Sequence, residues 1–203
     1  MLRYTKTMRT RDSNKEEIVK QKAIELLVEK GIEGFSMNRL AKESKISVAT
    51  LYIYYSDKDD LVRKIGIEIG KNFFDEMAKD FSPAMSFREG LYKQWENRIY
   101  FTQNKQLEAA CWELLTHSSY GESILEESLQ EFKIIMGSFF KNAIDKKELV
   151  SVSKEVFWSI AYGPLYSLLR FERDGKNFRG GPFKLNQKTT DEAFELVLKA
   201  LTP

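Results

Sequence analysis

The sequence predicts an all-α protein: an N-terminal three-helix helix-turn-helix unit joined through a fourth helix to a C-terminal helical bundle, about nine helices in all. Three observations carry this. The 203 residues include only 4 Pro and 11 Gly beside many Glu, Lys, Leu and Ile, the usage of a helical chain. Hydroxyl caps followed three residues later by an acid recur along the chain, each ahead of an apolar stripe at helical spacing. Between Phe35 and Val62 the pattern shortens to two brief helices around a tight turn, with a fresh helix start just beyond.

Ser13 with Glu16 reads as a capping box, and Val19, Ala23, Leu26 and Leu27 then form one stripe. A first helix is therefore expected from about Asn14 to Lys30, stopping at Gly31. Ser36 caps a second helix whose Met37, Leu40 and Ala41 face the core, and Ser47 caps a third in which Leu51 and Tyr55 share a face. A cap at Ser56, with Asp59 as its acidic partner, opens a fourth helix through Leu61, Ile65, Phe73, Phe74 and Met77 to about Lys79. Pro83 interrupts. Ser86 and Glu89 form a second box, opening a helix from Phe87 to about Thr102. Leu107 to His117 reads as a short helix and Ile124 to Asp145 as one longer helix, with Phe132, Met136 and Phe139 inward. Ser153 to Phe171 is apolar around much of its circumference. Arg173 to Asn186, with Gly175, Gly180, Gly181 and Pro182, reads as a surface loop, and Thr189 with Glu192 starts a final helix. The expected division is residues 1–60 as an N-terminal arm with a helix-turn-helix DNA-binding domain, and residues 61–203 as an effector-binding and dimerisation domain.

Composition narrows the function classes. Apolar content of 42% and charge of 31% describe a globular chain rather than a disordered one. No apolar run approaches the length of a membrane span, and the first residues lack an apolar core with a small-residue cleavage site, so a cytoplasmic protein with no membrane partner is expected. Cys111 stands alone in an apolar helical run and reads as a small core side chain. The chain has one His and one Cys, with no HExxH, no CxxC pair and no glycine-rich phosphate loop. No catalytic residue, metal site or cofactor is expected, and the protein is not expected to be an enzyme. The net charge of +2 is small, but its distribution is uneven: Arg3, Lys6, Arg9 and Arg11 face no acid within the first eleven residues. That arm suits either phosphate or minor-groove contact, or a solubilising tail.

Two short helices at a fixed angle place the second in a DNA major groove. Gly34-Phe35-Ser36, Arg39-Leu40-Ala41, Ser47-Val48-Ala49-Thr50-Leu51-Tyr52 and Tyr54-Tyr55-Ser56-Asp57-Lys58-Asp59-Asp60-Leu61 stand in a fixed order, and together they resemble the DNA-binding signature of the TetR/AcrR family of bacterial transcriptional regulators. The resemblance implies that Val48, Ala49 and Tyr52 approach base edges. It also implies that Thr50, Tyr54 and Lys58 meet phosphates together with the Ser36 and Ser47 ends, and that Arg39 reaches a base or a phosphate. The chain departs from the family at Ser44-Lys45 in the turn and at Val48-Ala49 in the third helix. Lys45 would be strained if its position demands positive φ, although it suits a phosphate; Val48 and Ala49 suit thymine methyls.

One such unit holds DNA weakly, so a homodimer on a palindromic double-stranded operator is expected, paired through the last two long helices. The ring-rich C-terminal part suits a small, largely apolar effector, aromatic and cationic compounds among the options. Trp95, Trp112, Phe139, Trp158 and Tyr162 are the candidate wall residues, with Glu96, Glu113 and His117 as polar groups that orient the ligand. The function expected is a ligand-responsive DNA-binding regulator, a repressor released by its effector, although DNA binding alone does not set the sign of regulation. The alternative is a helical regulatory protein acting through protein partners without sequence-specific DNA binding.

Overall fold

The computed structural model describes the backbone of residues 4–203 and side chains from Lys15 onward. Ten α-helices follow one another among the described residues: α1 Tyr4–Gly34, α2 Met37–Glu43, α3 Val48–Tyr54, α4 Lys58–Ala78, α5 Phe87–Asn104, α6 Gln106–Thr116, α7 Gly121–Ser128, α8 Gln130–Asp145, α9 Lys154–Asp174 and α10 Gln187–Leu201. Their only β feature is an isolated bridge between Lys176 and Pro182. The all-α expectation is met. Arg3 lies outside the described residues, as do the side chains of Lys6, Arg9 and Arg11, and with them the contacts expected of the basic arm.

Local chemistry sets most of the boundaries. Gly31, at φ 68°, breaks α1 where the sequence expects the stop. Ser36 Oγ accepts the Arg39 N–H at 3.3 Å and Ser47 Oγ accepts that of Thr50 at 3.1 Å, capping α2 and α3. Ser86 and Glu89 exchange both bonds of a capping box ahead of α5.

Four expectations are corrected. The backbone is already helical from Tyr4, so the Ser13 box does not mark the start of α1. Asp57, not Ser56, caps α4: its Oδ1 accepts the Asp60 N–H at 2.8 Å, while Asp60 reaches back to the Ser56 N–H at 2.9 Å. The single helix expected from Ile124 to Asp145 is two, α7 and α8, separated at Leu129. Finally, Asn186 caps α10 by accepting the Thr189 N–H at 3.0 Å, so that helix starts before Thr189.

The contacts gather the chain into two compact units. The first holds residues up to Asn72 together with Lys105–Leu129, and the second holds Phe73–Asn104 with Gln130–Pro203. In the first, Val19, Leu26 and Leu27 of α1, Leu40 of α2, Leu51 of α3 and Leu61, Val62 and Ile65 of α4 share one core with Cys111, Leu115 and Ile124 of α6 and α7. Helices α6 and α7 therefore belong with the helix-turn-helix rather than with the later helices. Burial, with Glu108 nearby, pushes the Cys111 thiol up to about 12, so it is an inert packing group.

The packing of α4 within this unit depends on two glycines. A Cβ on Gly66 would stand 2.3 Å from Ile124 Cδ1, and one on Gly70 would stand 2.5 Å from Ser128 Oγ and 2.7 Å from Trp112 Cζ3. Tyr120, at the start of α7, donates its hydroxyl to Asp59 at 2.5 Å and so ties that corner to the first turn of α4. The second unit is built on α9 against α10 and α5, with α8 against α5. There the last turn of α4 meets buried amides of α5: Gln94 Nε2 donates to Met77 O at 2.6 Å, and Asn97 Nδ2 donates to Lys79 O at 2.9 Å. Those bonds satisfy carbonyls that a helix end leaves without partners.

Candidate nucleic-acid interface and effector residues

The second helix of the helix-turn-helix is α3, and its own periodicity decides which side chains stand free. Leu51 is sealed and Tyr55, just past the helix, is buried, while Val48 and Tyr54 are half-buried against the shared core. Ala49, Tyr52 and Ile53 are left on one outward face at i, i+3 and i+4, with Tyr52 53% and Ile53 77% exposed. Val48, expected at base edges, is turned partly into the packing. Ile53 was missed because a β-branched aliphatic in a short helix reads as core; its spacing from Ala49 was the signal that could have found it.

The turn between α2 and α3 closes as a Schellman motif: the Ile46 N–H donates to Ala41 O at 3.0 Å and the Lys45 N–H to Lys42 O at 3.2 Å. Lys45 occupies the left-handed position at φ 56°, where glycine is usual. The strain foreseen from the sequence is present, and it leaves an exposed ammonium in the turn before α3. Arg39 is exposed and paired with Glu43 at 2.9 Å. Ser36 and Ser47 are exposed caps, and Thr50 shares a 2.8 Å hydrogen bond with Ser47. Lys58 is half-buried and its Nζ donates to Ile32 O at 2.7 Å, which ties the start of α4 to the residues after the α1 break. Nearby, Lys64 Nζ donates to Tyr54 O at 3.2 Å and to Asp60 at 3.0 Å, bracing the end of α3 from α4.

Residues 20–65, which hold this whole arrangement, match the family model described as bacterial regulatory proteins, tetR family. That segment of the chain is a TetR-type helix-turn-helix. A similar protein is an uncharacterized HTH-type transcriptional regulator of Haemophilus influenzae, 24% identical over 141 residues that span 59% of this chain and 74% of that one. A shorter stretch of 43 residues is 46% identical to an HTH-type transcriptional regulator of Staphylococcus aureus and covers 21% of this chain and 23% of that protein. Among solved structures, a TetR family transcription regulator from Marinobacter aquaeolei superposes with a TM-score of 0.81 at 22% identity, covering 95% of this chain and 98% of the other, which shows the shared fold. Among the described residues no group of three or more His, Cys, Asp or Glu is placed to hold a metal ion. None of its described helices is long and apolar enough to cross a membrane.

The eight residues expected to meet an effector fall into different units. Trp112, Glu113 and His117 lie in the first. Trp112 is half-buried against the shared core, Glu113 is exposed, and the exposed His117 uses Nδ1 on the Glu113 carbonyl at 2.8 Å, closing the end of α6. The second unit holds Trp95, Glu96, Phe139, Trp158 and Tyr162. Trp95 is sealed, its Nε1 donating to Ala161 O at 2.8 Å and its ring set edge-on to Phe194. Phe139 is sealed among Phe81 and Phe87. Glu96 is exposed and paired with Lys93 at 2.6 Å. Trp158 is 48% exposed and packs edge-on against the fully buried Tyr162, with ring centroids 4.7 Å apart. Burial pushes the Tyr162 hydroxyl above its ordinary range, so it stays protonated as a donor.

Sequence reasoning missed the group these two rings surround. Arg98 of α5 is 1% exposed, with its guanidinium carbon 3.9 Å from the Tyr162 ring centroid and 5.6 Å from that of Trp158. Its place on the buried stripe Phe87, Leu91, Gln94, Trp95, Arg98, Phe101 was readable as a charge in the apolar phase of a helix.

Proposed function

We propose that the protein is a transcriptional repressor that grips a palindromic operator as a homodimer through α9 and α10 and leaves it when a small, largely apolar effector binds the second unit. The observation that carries the reading is the free face of α3. Ala49, Tyr52 and Ile53 project from a support capped at both short helices and cored by Leu40 and Leu51, which is what base readout by a side chain requires. Lys45 and Arg39 supply cations near that face, and phosphate competes with Glu43 for Arg39.

Dimerisation is supported by exposed apolar side chains on the two last helices, Val156, Trp158 and Tyr166 on α9 and Leu196 on α10. A two-fold pair spaces its recognition helices by about one turn of DNA, ~34 Å, or a multiple of it. Effector release follows if the ligand favours the arrangement that does not fit DNA; a ligand with equal affinity for both arrangements shifts nothing.

A salt titration of binding to the duplex upstream of the protein's own gene, with a scrambled duplex as reference, tests this function. Sequence-selective binding that weakens steeply with salt is expected. Tyr52→Ala is expected to lower operator affinity by about tenfold or more while the helical dimer persists, since one base contact contributes about 1–3 kcal/mol. Equal affinity for operator and scrambled duplex would instead point to regulation through protein partners.

A further inference from the structure

Among the described residues, Arg98 is the buried side chain that carries a formal charge. Its donors are divided unevenly. Nη1 is engaged twice by Gln94, through the backbone O at 3.0 Å and Oε1 at 2.6 Å. Nε and Nη2 have no hydrogen-bond partner, and neither does the sealed hydroxyl of Tyr162, whose ring lies on the guanidinium. Buried donors left open are costly to a fold, and an unpaired buried cation more so. The two open nitrogens are not arbitrary: Nε–H and Nη2–H lie side by side along one edge of the plane and form the fork that takes both oxygens of a carboxylate. The aromatic ring covers the flat face, Gln94 occupies the opposite edge, and the fork remains.

We propose that Arg98 receives the carboxylate of an amphipathic effector, with the Tyr162 hydroxyl as a third donor and the ring-rich interior of the second unit taking its apolar body. This rests on the effector-responsive reading above and names the effector's chemical class. The charge balance selects a monoanion: one guanidinium neutralises one negative charge, and among the described residues no second cation is buried to meet a phosphate dianion. The same balance disfavours the cationic effector that was among the expectations from the sequence. The apolar share of the ligand would be met by rings of this unit, where Phe157 lies 6.1 Å from Tyr162 and 4.6 Å from Phe140 between centroids. Gln94 is the positioning residue, because the amide that fixes Nη1 through Oε1 is held by its own Nε2 on Met77 O.

The test is calorimetric titration of the purified full-length dimer, without DNA, using decanoate, 4-phenylbutyrate, decan-1-ol, decylamine and decyl phosphate. A carboxylate is expected to bind about tenfold or more tightly than the alcohol, the amine and the phosphate ester. Arg98→Met is expected to remove that preference, and Arg98→Lys to weaken it by losing the fork while keeping the charge. Tyr162→Phe guards against a folding defect. It deletes a hydroxyl with no partner in the free protein, so the melting midpoint should hold while carboxylate affinity falls several-fold. No carboxylate binding, equal binding of the alcohol or phosphate ester, or unchanged affinity in both Arg98→Met and Tyr162→Phe would overturn the proposal. The two readings fail separately. Loss of operator selectivity with carboxylate binding intact sinks the repressor and spares Arg98, whereas operator release by a neutral or cationic ligand alone does the reverse.

Discussion

Replacing Gly70 with Ala tests whether α4 is packed at contact distance against α6 and α7. The new Cβ would lie 2.5 Å from Ser128 Oγ, 2.7 Å from Ser128 Cβ and 2.7 Å from Trp112 Cζ3, roughly 1 Å inside ordinary carbon contact. Ser128 cannot simply swing aside, because it is buried and its hydroxyl donates to Ile124 O at 2.6 Å. Overpacking of this kind costs about 1–3 kcal/mol, and a disturbed buried hydrogen bond adds about 1 kcal/mol. Against this stands the helical preference for Ala over Gly, about 1 kcal/mol. The net expectation is a loss of about 1–3 kcal/mol, or a melting midpoint about 2–12 °C lower for a chain of this size. Thermal unfolding followed by circular dichroism at the helical minimum reads it. Gly137→Ala is the internal control: on exposed α8 the added Cβ meets nothing within 4 Å, so the same substitution should hold or raise the midpoint. A Gly70→Ala midpoint at or above the parent's would refute the tight packing, because only an open neighbourhood lets the helix preference win.

Lys45→Gly separates conformation from charge. Glycine adopts the φ of 56° without the Cβ clash of about 1–2 kcal/mol, less about 0.5–1 kcal/mol of added chain entropy, so stability should hold or rise slightly. The slope of operator affinity against salt should become shallower by about 1 per subunit, and an unchanged slope would take Lys45 off the phosphates. Asp60 governs an acid limb of stability: hydrogen bonds from the Ser56 N–H and from Lys64 hold its carboxyl below the ordinary 3.8. A depressed folded value stabilises fully above the unfolded one and is lost as pH falls through the folded value, so the gap between parent and Asp60→Asn should be constant above pH 3.8 and close as pH falls below it. Parallel melting curves from acid to neutral pH would remove that role.

What was legible in the chain is what short-range chemistry decides. Ser36, Ser47 and the Ser86–Glu89 box act as the sequence says because a hydroxyl three residues ahead of an open N–H has one obvious use. Lys45 could be flagged for positive φ because the turn geometry, not the side chain, sets that angle. The start of α4 was ambiguous for the opposite reason. Ser56, Asp57, Asp59 and Asp60 all offer capping oxygens, and only the fold assigns Asp57 to the cap and Asp59 to Tyr120. The break between α7 and α8 has no Gly or Pro to announce it, and the apolar pattern continues across Leu129. Arg98 and Ile53 escaped because type-based expectation sends arginine outward and isoleucine inward, and here both are reversed. Such reversals are costly to a fold, and they fall at the two places for which a function is proposed.

Both assignments bear on α4, one at each end. Its first turns hold α3 through Lys64 on Tyr54 O and hold the residues after the α1 break through Lys58 on Ile32 O. Its last turn is held by Gln94 on Met77 O, and Gln94 also fixes Arg98. The carboxylate site and the operator face proposed above are coupled only if each ligand favours a different arrangement of the protein. Linkage then requires reciprocity: if the carboxylate lowers operator affinity by some factor, operator DNA lowers carboxylate affinity by the same factor.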